Sequence, residues 1–381
     1  MPTPIRVTFA AMCAILVGLG MARFAFSPLV PALVSSHWFS ASEAAYLGSA
    51  NFTGYLTGAL IAQGVAARFA PARVLRAMML LAGISFLASS QPAPFLWFAL
   101  WRVAAGISGG LIMVLSATLA LQHVPPHRRG LAGGAIFAGV GLGVIIAALV
   151  VPRLIALGLP LAWEGLGALC LLLAAVTWTS WPPDAAGEAV KGRPPVNKAV
   201  LILYAVYALN AVGLVPHTMF LIDMAARELN YGLSAGATLW VLFGLGAIAG
   251  PLAAGRAGDF YGFRTMLLFM LLLQAAAVGA AWISGNLRVL AVSAFIMGGC
   301  TPGIAPVVLG RVRELIPHDP RGQRAVWSLA TTAFAIGQAG GAFALSGVLG
   351  KVGHYPPLFG ISAAVLMLAF LFKSLPHAKG A

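Results

Sequence analysis

The chain has 381 residues, of which 60% are hydrophobic and only 8% charged, and its formal net charge is +14. Soluble domains carry about 25% charged residues, so this composition excludes an ordinary soluble protein and predicts an integral membrane protein. A helix needs about 20 apolar residues to cross the hydrocarbon core, so the chain has room for about a dozen spans joined by short loops.

Apolar runs separated by turn and charge signals predict twelve membrane-spanning helices. In chain order they lie near residues 7–34, 43–67, 74–91, 94–121, 131–151, 160–181, 199–223, 233–254, 265–284, 288–310, 325–348 and 356–375. The length of the first run, with eleven spans behind it, favours an uncleaved helix over a secretory signal. The predicted fold class is therefore an all-α integral membrane protein.

One stretch has the composition of a linker: "WPPDAAGEAVKGRPPVNK", from Trp181 to Lys198, is rich in proline, glycine and charge. It divides the chain into an N-terminal six-helix bundle (1–181), a cytoplasmic linker (182–198) and a C-terminal six-helix bundle (199–381). A shift of 191 residues places "GVAARFAPAR" on "GRAGDFYGFR", and a shift of 192 aligns the loops after helices 4 and 10. Six-helix repeats that bind a solute between them are typical of secondary transporters.

The 23 lysine and arginine residues give the orientation. If the N-terminus is inside, the inner loops hold Arg6, Arg68, Arg73, Arg76, Arg128, Arg129, Lys191, Arg193, Lys198, Arg256, Arg264, Arg311, Arg313, Arg321, Arg324, Lys373 and Lys379. The outer loops hold only Arg153, Arg227, Arg288 and Lys351. The positive-inside rule then predicts that both termini are cytoplasmic. The positive charge indicates contact with anionic membrane lipids and not with a nucleic acid.

The loop "GRAGDFYGFR" resembles the signature loop of the major facilitator superfamily, Gly-x-x-x-Asp-x-x-Gly-x-Arg, in its second-half position between helices 8 and 9. The signature residues are Gly255, Asp259, Gly262 and Arg264. The first-half copy keeps Arg73 but has Arg68 at the aspartate position and Pro71 at the second glycine position. The resemblance implies that the signature residues and Arg73 form an inner gate.

Two further segments carry the resemblance. "RVAAGISGG", from Arg102 to Gly110, resembles the helix-4 motif of the superfamily, and "GMARFAFSPLVPALV", residues 20–34, is similar to helix 1 of its YbfB/YjiJ-type bacterial members. The resemblance implies two pseudo-symmetric bundles that rock about a cavity lined mainly by helices 1, 4, 7 and 10, in a bacterial inner membrane. A monomer is sufficient for transport, and the oligomeric state is left open.

The predicted substrate site consists of polar residues within the spans: Arg23, Arg102, His217, Asn51 and Asn210. An intramembrane arginine costs about 2.5–3.5 kcal/mol to insert, so it should face protein or water and have a partner. Structural alternatives remain for each: Arg23 as a tie to helix-end carbonyls, Arg102 in helix packing or proton handling, and His217 as a buried structural histidine. The asparagines, with Gln274 and Gln338, are candidates for hydrogen bonds between helices.

The acidic residues lie at predicted helix ends or in loops, so none is an obvious countercharge for Arg23. Because a guanidinium binds a carboxylate with two parallel hydrogen bonds, this site favours a small organic anion or a polar metabolite with a carboxylate. The predicted partners are therefore a small-molecule substrate and membrane lipids. Protons are a further candidate through the resemblance, with Asp223, Glu43 and His217 as coupling candidates.

Two other functions stay open, namely efflux of drugs and a transporter-like sensor or scaffold. The Gly-x-x-x-Gly-Pro signature of drug antiporters is absent from "GVGLGVIIAALVVP" in helix 5. No hydrolase, metalloprotease or nucleotide-binding motif is present, so the sequence predicts neither an enzyme nor a cofactor. Pro125 and Pro126 interrupt the spacing between His123 and His127, which makes a metal site there unfavourable.

Overall fold

The structure, a computed structural model, describes residues 3–29, 32–33, 36–182 and 197–372, and all of its regular secondary structure within these ranges is helical. Twelve principal helices follow in chain order: α1 Pro4–Ile15, α2 Ala41–Arg68, α3 Pro71–Leu87, α4 Phe95–Leu121, α5 Arg129–Leu157, α6 Leu159–Thr177, α7 Lys198–Gly213, α8 Gly232–Tyr261, α9 Phe263–Ile283, α10 Leu287–Leu315, α11 Pro320–Val352 and α12 Pro356–Leu371. Most of the predicted linker, residues 183–196, lies outside the described residues.

The protein crosses a membrane several times. Within the described ranges, nine helical segments are long and apolar enough to span the hydrocarbon core. They are Pro4–Phe26, Phe95–Leu121, Pro126–Leu157, Leu159–Thr177, Lys198–Asp223, Ser234–Tyr261, Phe263–Ile283, Leu287–Leu315 and Pro320–Val352. The helix Pro356–Leu371 is apolar but shorter.

The first helix is irregular where the sequence predicts one continuous span over residues 7–34. After α1 the chain forms a π-helix from Leu16 to Met21, a turn at Ala22 and Arg23, and a 3₁₀-helix from Phe24 to Leu29. Pro28 lies inside this last segment and has no backbone N–H to donate, which disfavours a regular α-helix there. The helix therefore changes its winding on both sides of Arg23.

Helix α7 is interrupted in a similar way. It ends at Gly213 and is continued by a π-helix over Pro216–Phe220, one α-helical turn over Leu221–Asp223 and a second π-helix over Met224–Glu228. Pro216 again removes a backbone donor at the start of the irregular part. Such π segments occur often at functional sites in helices.

The chain forms two compact units. The first contains Met1–Pro126 and Ala135–Lys191, and the second contains His127–Gly134 and Gly192–Ala381. Residues His127–Gly134, which include the start of α5, therefore belong to the second unit, although the rest of α5 belongs to the first.

Glycines allow one pair of helices in each unit to pack with their backbones in contact. In the first unit, a Cβ atom on Gly54 or Gly58 of α2 would strike α4, and one on Gly106 would strike α2. In the second unit, Gly246 and Gly250 of α8 meet α10 in the same way, and Gly298 of α10 meets α8. The three glycines of the second unit follow those of the first by the same 192 residues that align the loops. The repeat thus extends to helix packing, where small residues are the usual means of close approach.

Candidate functional site

Arg23 lies in the turn between the π and 3₁₀ segments of the first helix and is half-buried. Its guanidinium carbon lies 4.6 Å from the centre of the Phe52 ring, 5.3 Å from that of Phe24 and 5.7 Å from that of Tyr55. Cation–π attraction uses the face of the guanidinium, whereas hydrogen bonds leave from its edge. Within the described part of the chain, no carboxylate or carbonyl accepts a hydrogen bond from this edge. Three aromatic rings therefore surround the charge of Arg23, and the only contacts of its guanidinium among the described residues are with these rings.

Arg102 of α4 is more deeply buried than Arg23, with only 3% of its surface exposed. Its Nη1 atom donates a hydrogen bond of 2.9 Å to the carbonyl oxygen of Ala22, and its guanidinium carbon lies 4.1 Å from the centre of the Phe26 ring. Ala22 and Phe26 lie on either side of Arg23 in the chain. Arg102 thus fixes the irregular segment that carries Arg23.

Asn51 of α2 completes this arrangement. Its side-chain amide donates to the backbone carbonyl of Arg102 at 3.2 Å, and it is almost fully buried. The structure therefore brings together three predicted site residues, Arg23, Asn51 and Arg102, inside the first unit. Of these, Arg23 alone is more than slightly exposed, so it is the one best able to meet a solute.

Glu43, a predicted coupling residue, takes part in a helix cap. Its carboxylate accepts hydrogen bonds from the backbone N–H and the hydroxyl of Ser40 at 2.8 and 2.7 Å, and its own N–H donates to the Ser40 hydroxyl at 3.2 Å. This capping box stabilises the start of α2. The contacts supply a structural reason for an acidic residue at this position.

His217 lies in the π-helix after α7 and is 1% exposed. Its Nε2 atom lies 2.7 Å from the hydroxyl oxygen of Ser293, and that hydroxyl is 2.6 Å from the carbonyl oxygen of Ala277. A carbonyl only accepts, so Ser293 donates to it and must accept from His217. The proton between the two side chains is therefore assigned to Nε2, and His217 links the continuation of α7 to α9 and α10. Its Nδ1 atom has no hydrogen-bond partner among the described residues.

We expect the His217→Ala variant to lower the thermal stability of the protein. It removes a buried hydrogen bond and an edge-to-face ring contact with Phe359, whose ring centre lies 5.3 Å from that of His217. The pH profile of transport should stay unchanged, because His217 is buried and no described group lies within hydrogen-bond distance of Nδ1 to exchange a proton with it. Melting curves in detergent and flux at several pH values check both statements. A displaced pH profile with normal melting would assign the proton to His217 instead.

Asn210 also lies in the second unit and is fully buried. Its side-chain amide donates to the Oε1 atom of Gln274 at 2.8 Å, which joins α7 to α9 as expected for a pair of amides between helices. The Asn210 Oδ1 and Gln274 Nε2 atoms have no partner in the part of the chain that the structure describes. Both His217 and Asn210 are thus engaged with neighbouring helices of their own unit.

The signature loop makes a specific contact with the start of α5. The two carboxylate oxygens of Asp259 accept hydrogen bonds from the backbone N–H groups of Gly130 and Leu131, both at 2.9 Å. A Cβ atom on Gly130 would collide with Asp259 and with the carbonyl oxygen of Gly255. The carboxylate therefore satisfies free N–H groups at the positive end of a helix dipole, in a space that glycines keep open.

The remaining signature residues shape the turn after α8. Gly262 has a φ angle of 81°, a conformation that glycine adopts without strain. The next residue, Phe263, donates its N–H to Glu314 at 2.7 Å, and Glu314 forms an ion pair of 2.8 Å with Arg311. Arg264 is half-buried in the first turn of α9. Arg73 is exposed in the first turn of α3 and belongs to the first unit.

Asp223, the other predicted coupling residue, accepts a hydrogen bond from the hydroxyl of Tyr355. Glu228 accepts one from the backbone N–H of Tyr355 at 2.9 Å. The two carboxylates thus connect the irregular end of α7 to the residue before α12.

Several contact residues were missed by the sequence analysis, among them Phe52, Tyr55, Gly130, Leu131 and Ser293. A helical signal exists for Tyr55, which follows Asn51 by one turn and therefore shares its face. No such signal exists for the backbone N–H groups of Gly130 and Leu131, because they act through the position of α5 and not through their side chains. Among the described residues, no group of three histidine, cysteine or acidic side chains is placed to hold a metal ion.

Comparisons with known proteins agree over nearly the whole chain. Residues 15–374 match the family model described as an uncharacterised MFS-type transporter YbfB. A chloramphenicol resistance protein of Streptomyces lividans is 24% identical over 98% of this chain and 97% of its own length. The 4-hydroxybenzoate transporter PcaK of Pseudomonas aeruginosa is 23% identical over 86% of this chain and 83% of its own. The crystal structure of the human organic anion transporter MFSD10 has a TM-score of 0.78 at 17% identity, covering 98% of this chain and all of that one.

Proposed function

The chain belongs to the YbfB-type family of the major facilitator superfamily, and we propose that it is a secondary transporter that moves a small organic anion by alternating access. The fold of the superfamily and its transport class follow from the family match and from the structural similarity. The substrate class, the direction of movement and the coupling to protons are parts of this proposal.

The proposed substrate class rests on the surroundings of the Arg23 guanidinium. Its half-buried guanidinium lies against Phe52 and Tyr55, and no described carboxylate neutralises it. A cation inside a membrane protein is stabilised when an anion completes its hydrogen bonds. We therefore assign the substrate carboxylate to the edge of Arg23, and we assign to Arg102 and Asn51 the task of keeping that edge in place.

The PcaK relative supports this choice, because its name identifies a transporter of an aromatic carboxylate. Phe52 and Tyr55 would lie beside such a substrate while Arg23 binds its charge. We further propose that the protein resides in a bacterial inner membrane with both termini in the cytoplasm, as the distribution of lysine and arginine indicates.

Flux into proteoliposomes tests the proposal directly. Purified protein is reconstituted, preloaded with unlabelled 4-hydroxybenzoate and supplied with the labelled acid outside. We expect saturable counterflow that excess benzoate suppresses, whereas 4-hydroxybenzyl alcohol, which lacks the carboxylate, does not compete. Equal competition by the alcohol would contradict an anion site. Failure of a wide panel of organic acids to cross above the level of protein-free liposomes would favour a sensor or scaffold.

Drug efflux is the second candidate function, and one observation favours it. The chloramphenicol resistance protein covers 98% of this chain, more than the aromatic-acid transporter does. Chloramphenicol carries no carboxylate, so an efflux protein would have less need of Arg23. Growth of a sensitive bacterial host on chloramphenicol, with and without the expressed protein, separates the two functions.

A further inference from the structure

The irregular continuation of α7 covers residues 214–231 and is called the outer segment here, because it follows α7 towards the side predicted to be outside. It contains two π-helices, Pro216–Phe220 and Met224–Glu228, on either side of one α-helical turn that ends at Asp223. π-helices are rare and mostly limited to single turns inside α-helices. Contacts with neighbouring helices therefore decide whether the outer segment keeps this winding.

Tyr355, the N-cap residue of α12, binds the outer segment through two hydrogen bonds. Its hydroxyl donates to a carboxylate oxygen of Asp223, and its backbone N–H donates to Glu228 at 2.9 Å. The ring centre of Tyr355 lies 6.0 Å from that of Phe220, and Tyr355 packs against the buried apolar cluster that includes Leu358. One tyrosine thus ties the middle and the end of the outer segment to the start of α12.

Asp223 and Glu228 bind Tyr355 most strongly when they are ionised, since a hydrogen bond to a charged acceptor is about twice as strong as one between neutral groups. Glu228 also lies at the N-terminus of α12, where the helix dipole favours a negative charge. Both carboxylates are half-buried, so protons from water can reach them. By linkage, a rising proton concentration favours the state in which these contacts with Tyr355 are broken.

Further ionisable residues belong to the segments that meet here. They are His217, Arg227 and Tyr231 of the outer segment, Arg288 at the start of α10, Lys351 at the end of α11 and His354 before Tyr355. Tyr231 donates its hydroxyl to the carbonyl oxygen of Gly285 at 3.0 Å, and an ordinary tyrosine stays protonated below about pH 10. Histidines titrate closer to the carboxylates, so His217 and His354 each need a control variant.

We propose that Asp223, Glu228 and Tyr355 form a proton-released clamp: the ionised carboxylates hold the outer segment on α12, and their protonation frees it. Release lets the outer segment change its winding while α7 and α12 stay intact. The inference rests on the proposed function of an alternating-access transporter, because the clamp gives protons a place at which to bias the equilibrium between two conformations. It does not depend on the identity of the substrate.

Hydrogen–deuterium exchange of the full-length protein in detergent, without substrate, tests the clamp. Exchange in the outer segment is measured between about pH 8 and about pH 4, which reaches the ordinary pKa range of carboxyl groups, and an unfolded reference corrects for the intrinsic effect of pH. We expect corrected exchange to be about tenfold faster at the acidic end, as the loss of a hydrogen bond to a charged group predicts.

Two variants remove the clamp in different ways. Tyr355→Phe keeps the ring and the backbone N–H but loses the hydroxyl that binds Asp223, so the outer segment should already exchange faster at neutral pH and respond less to acid. The double variant Asp223→Asn with Glu228→Gln removes both charges, so its corrected exchange should not respond to acid. Melting curves confirm that each variant is folded.

Tyr231→Phe is the matched control, because it removes a tyrosine hydroxyl that holds the outer segment without a carboxylate. It should speed exchange and keep the full response to acid. His217→Ala and His354→Gln should also keep that response, and its loss in either variant would assign the proton to that histidine and overturn the proposal. Equal corrected exchange at both ends of the pH range in the unaltered protein would overturn it too, as would exchange in folded Tyr355→Phe that matches the unaltered protein.

The counterflow assay separates this inference from the proposed function. An acid response of the outer segment in a protein that moves no organic acid would contradict the proposed function and support the clamp. Saturable counterflow with no acid response of the outer segment would support the proposed function and overturn the clamp.

Discussion

Transport of the organic anion is expected to fall by about 30-fold or more in the Arg23→Ala variant. Removing one partner of a buried, hydrogen-bonded charge pair costs about 2–5 kcal/mol, and 2 kcal/mol corresponds to about 30-fold in affinity. The loss should appear mainly as a higher KM in the counterflow assay. The variant should still fold, because no described hydrogen bond depends on the Arg23 side chain and its contacts are those with aromatic rings.

Two matched variants separate binding from structure. Arg23→Lys keeps the charge but loses the planar pair of donors, so we expect partial activity with a KM still well above that of the unaltered protein. Arg102→Ala removes the hydrogen bond to Ala22 and the contact with Phe26, so it should lower the melting temperature as well as the flux. If Arg23→Ala transports normally while Arg102→Ala does not, Arg23 is not part of the binding site and the anion binds elsewhere.

The second large effect is expected for Asp259→Asn. The substitution removes the negative charge and puts an amide donor opposite one of the two N–H groups that Asp259 now binds, those of Gly130 and Leu131. The interaction of a charge with a helix terminus is worth about 1–2 kcal/mol in favourable geometry, so the balance between transport states should change by about 5- to 30-fold. We expect a shift towards the state open to the cytoplasm, with near-normal substrate affinity.

Distances between spin labels at positions 68 and 260, in a variant whose native cysteines are replaced by alanine, report this balance. Asp319→Asn is the matched control, because Asp319 also accepts a backbone N–H, that of Arg321, but caps its own helix α11. It should leave the distance distribution unchanged. An unaltered distribution in the Asp259→Asn variant would show that this contact is a static brace and has no part in gating.

Much of the helix order was predictable because apolar runs, charged loops and prolines are local signals. The capping box of Ser40 and Glu43 was missed, since the sequence analysis treated Glu43 as a coupling candidate and not as part of a helix cap. The winding of the first helix around Arg23 was not predictable, since it depends on Arg102 binding the Ala22 carbonyl from another helix. Sequence spacing alone also could not show that Arg102 is buried while Arg23 is partly exposed, although both are arginines within apolar runs.

The signature loop illustrates the same limit. Its residues identify the loop, but the partners of Asp259 are backbone groups whose position depends on how α5 starts beside α8. The sequence analysis put His217 and Asn210 in one continuous helix over residues 199–223, whereas His217 lies in the π-helix after α7 and their partners, Ser293 and Gln274, come from α10 and α9. Whether any of these residues touches a substrate stays a prediction for the flux assays.

The glycine contacts between α2 and α4, and between α8 and α10, have a consequence for how the two halves diverge over evolutionary time. At Gly54, Gly106 and their counterparts Gly246 and Gly298, any side chain would push two backbones apart, so we expect substitutions there to be poorly tolerated in each half. The first-half loop has no such steric restriction and holds Arg68 where the second half has an acidic residue. In this chain the two halves therefore match where backbones touch and differ at Arg68 and Asp259, where a side chain has its own partners.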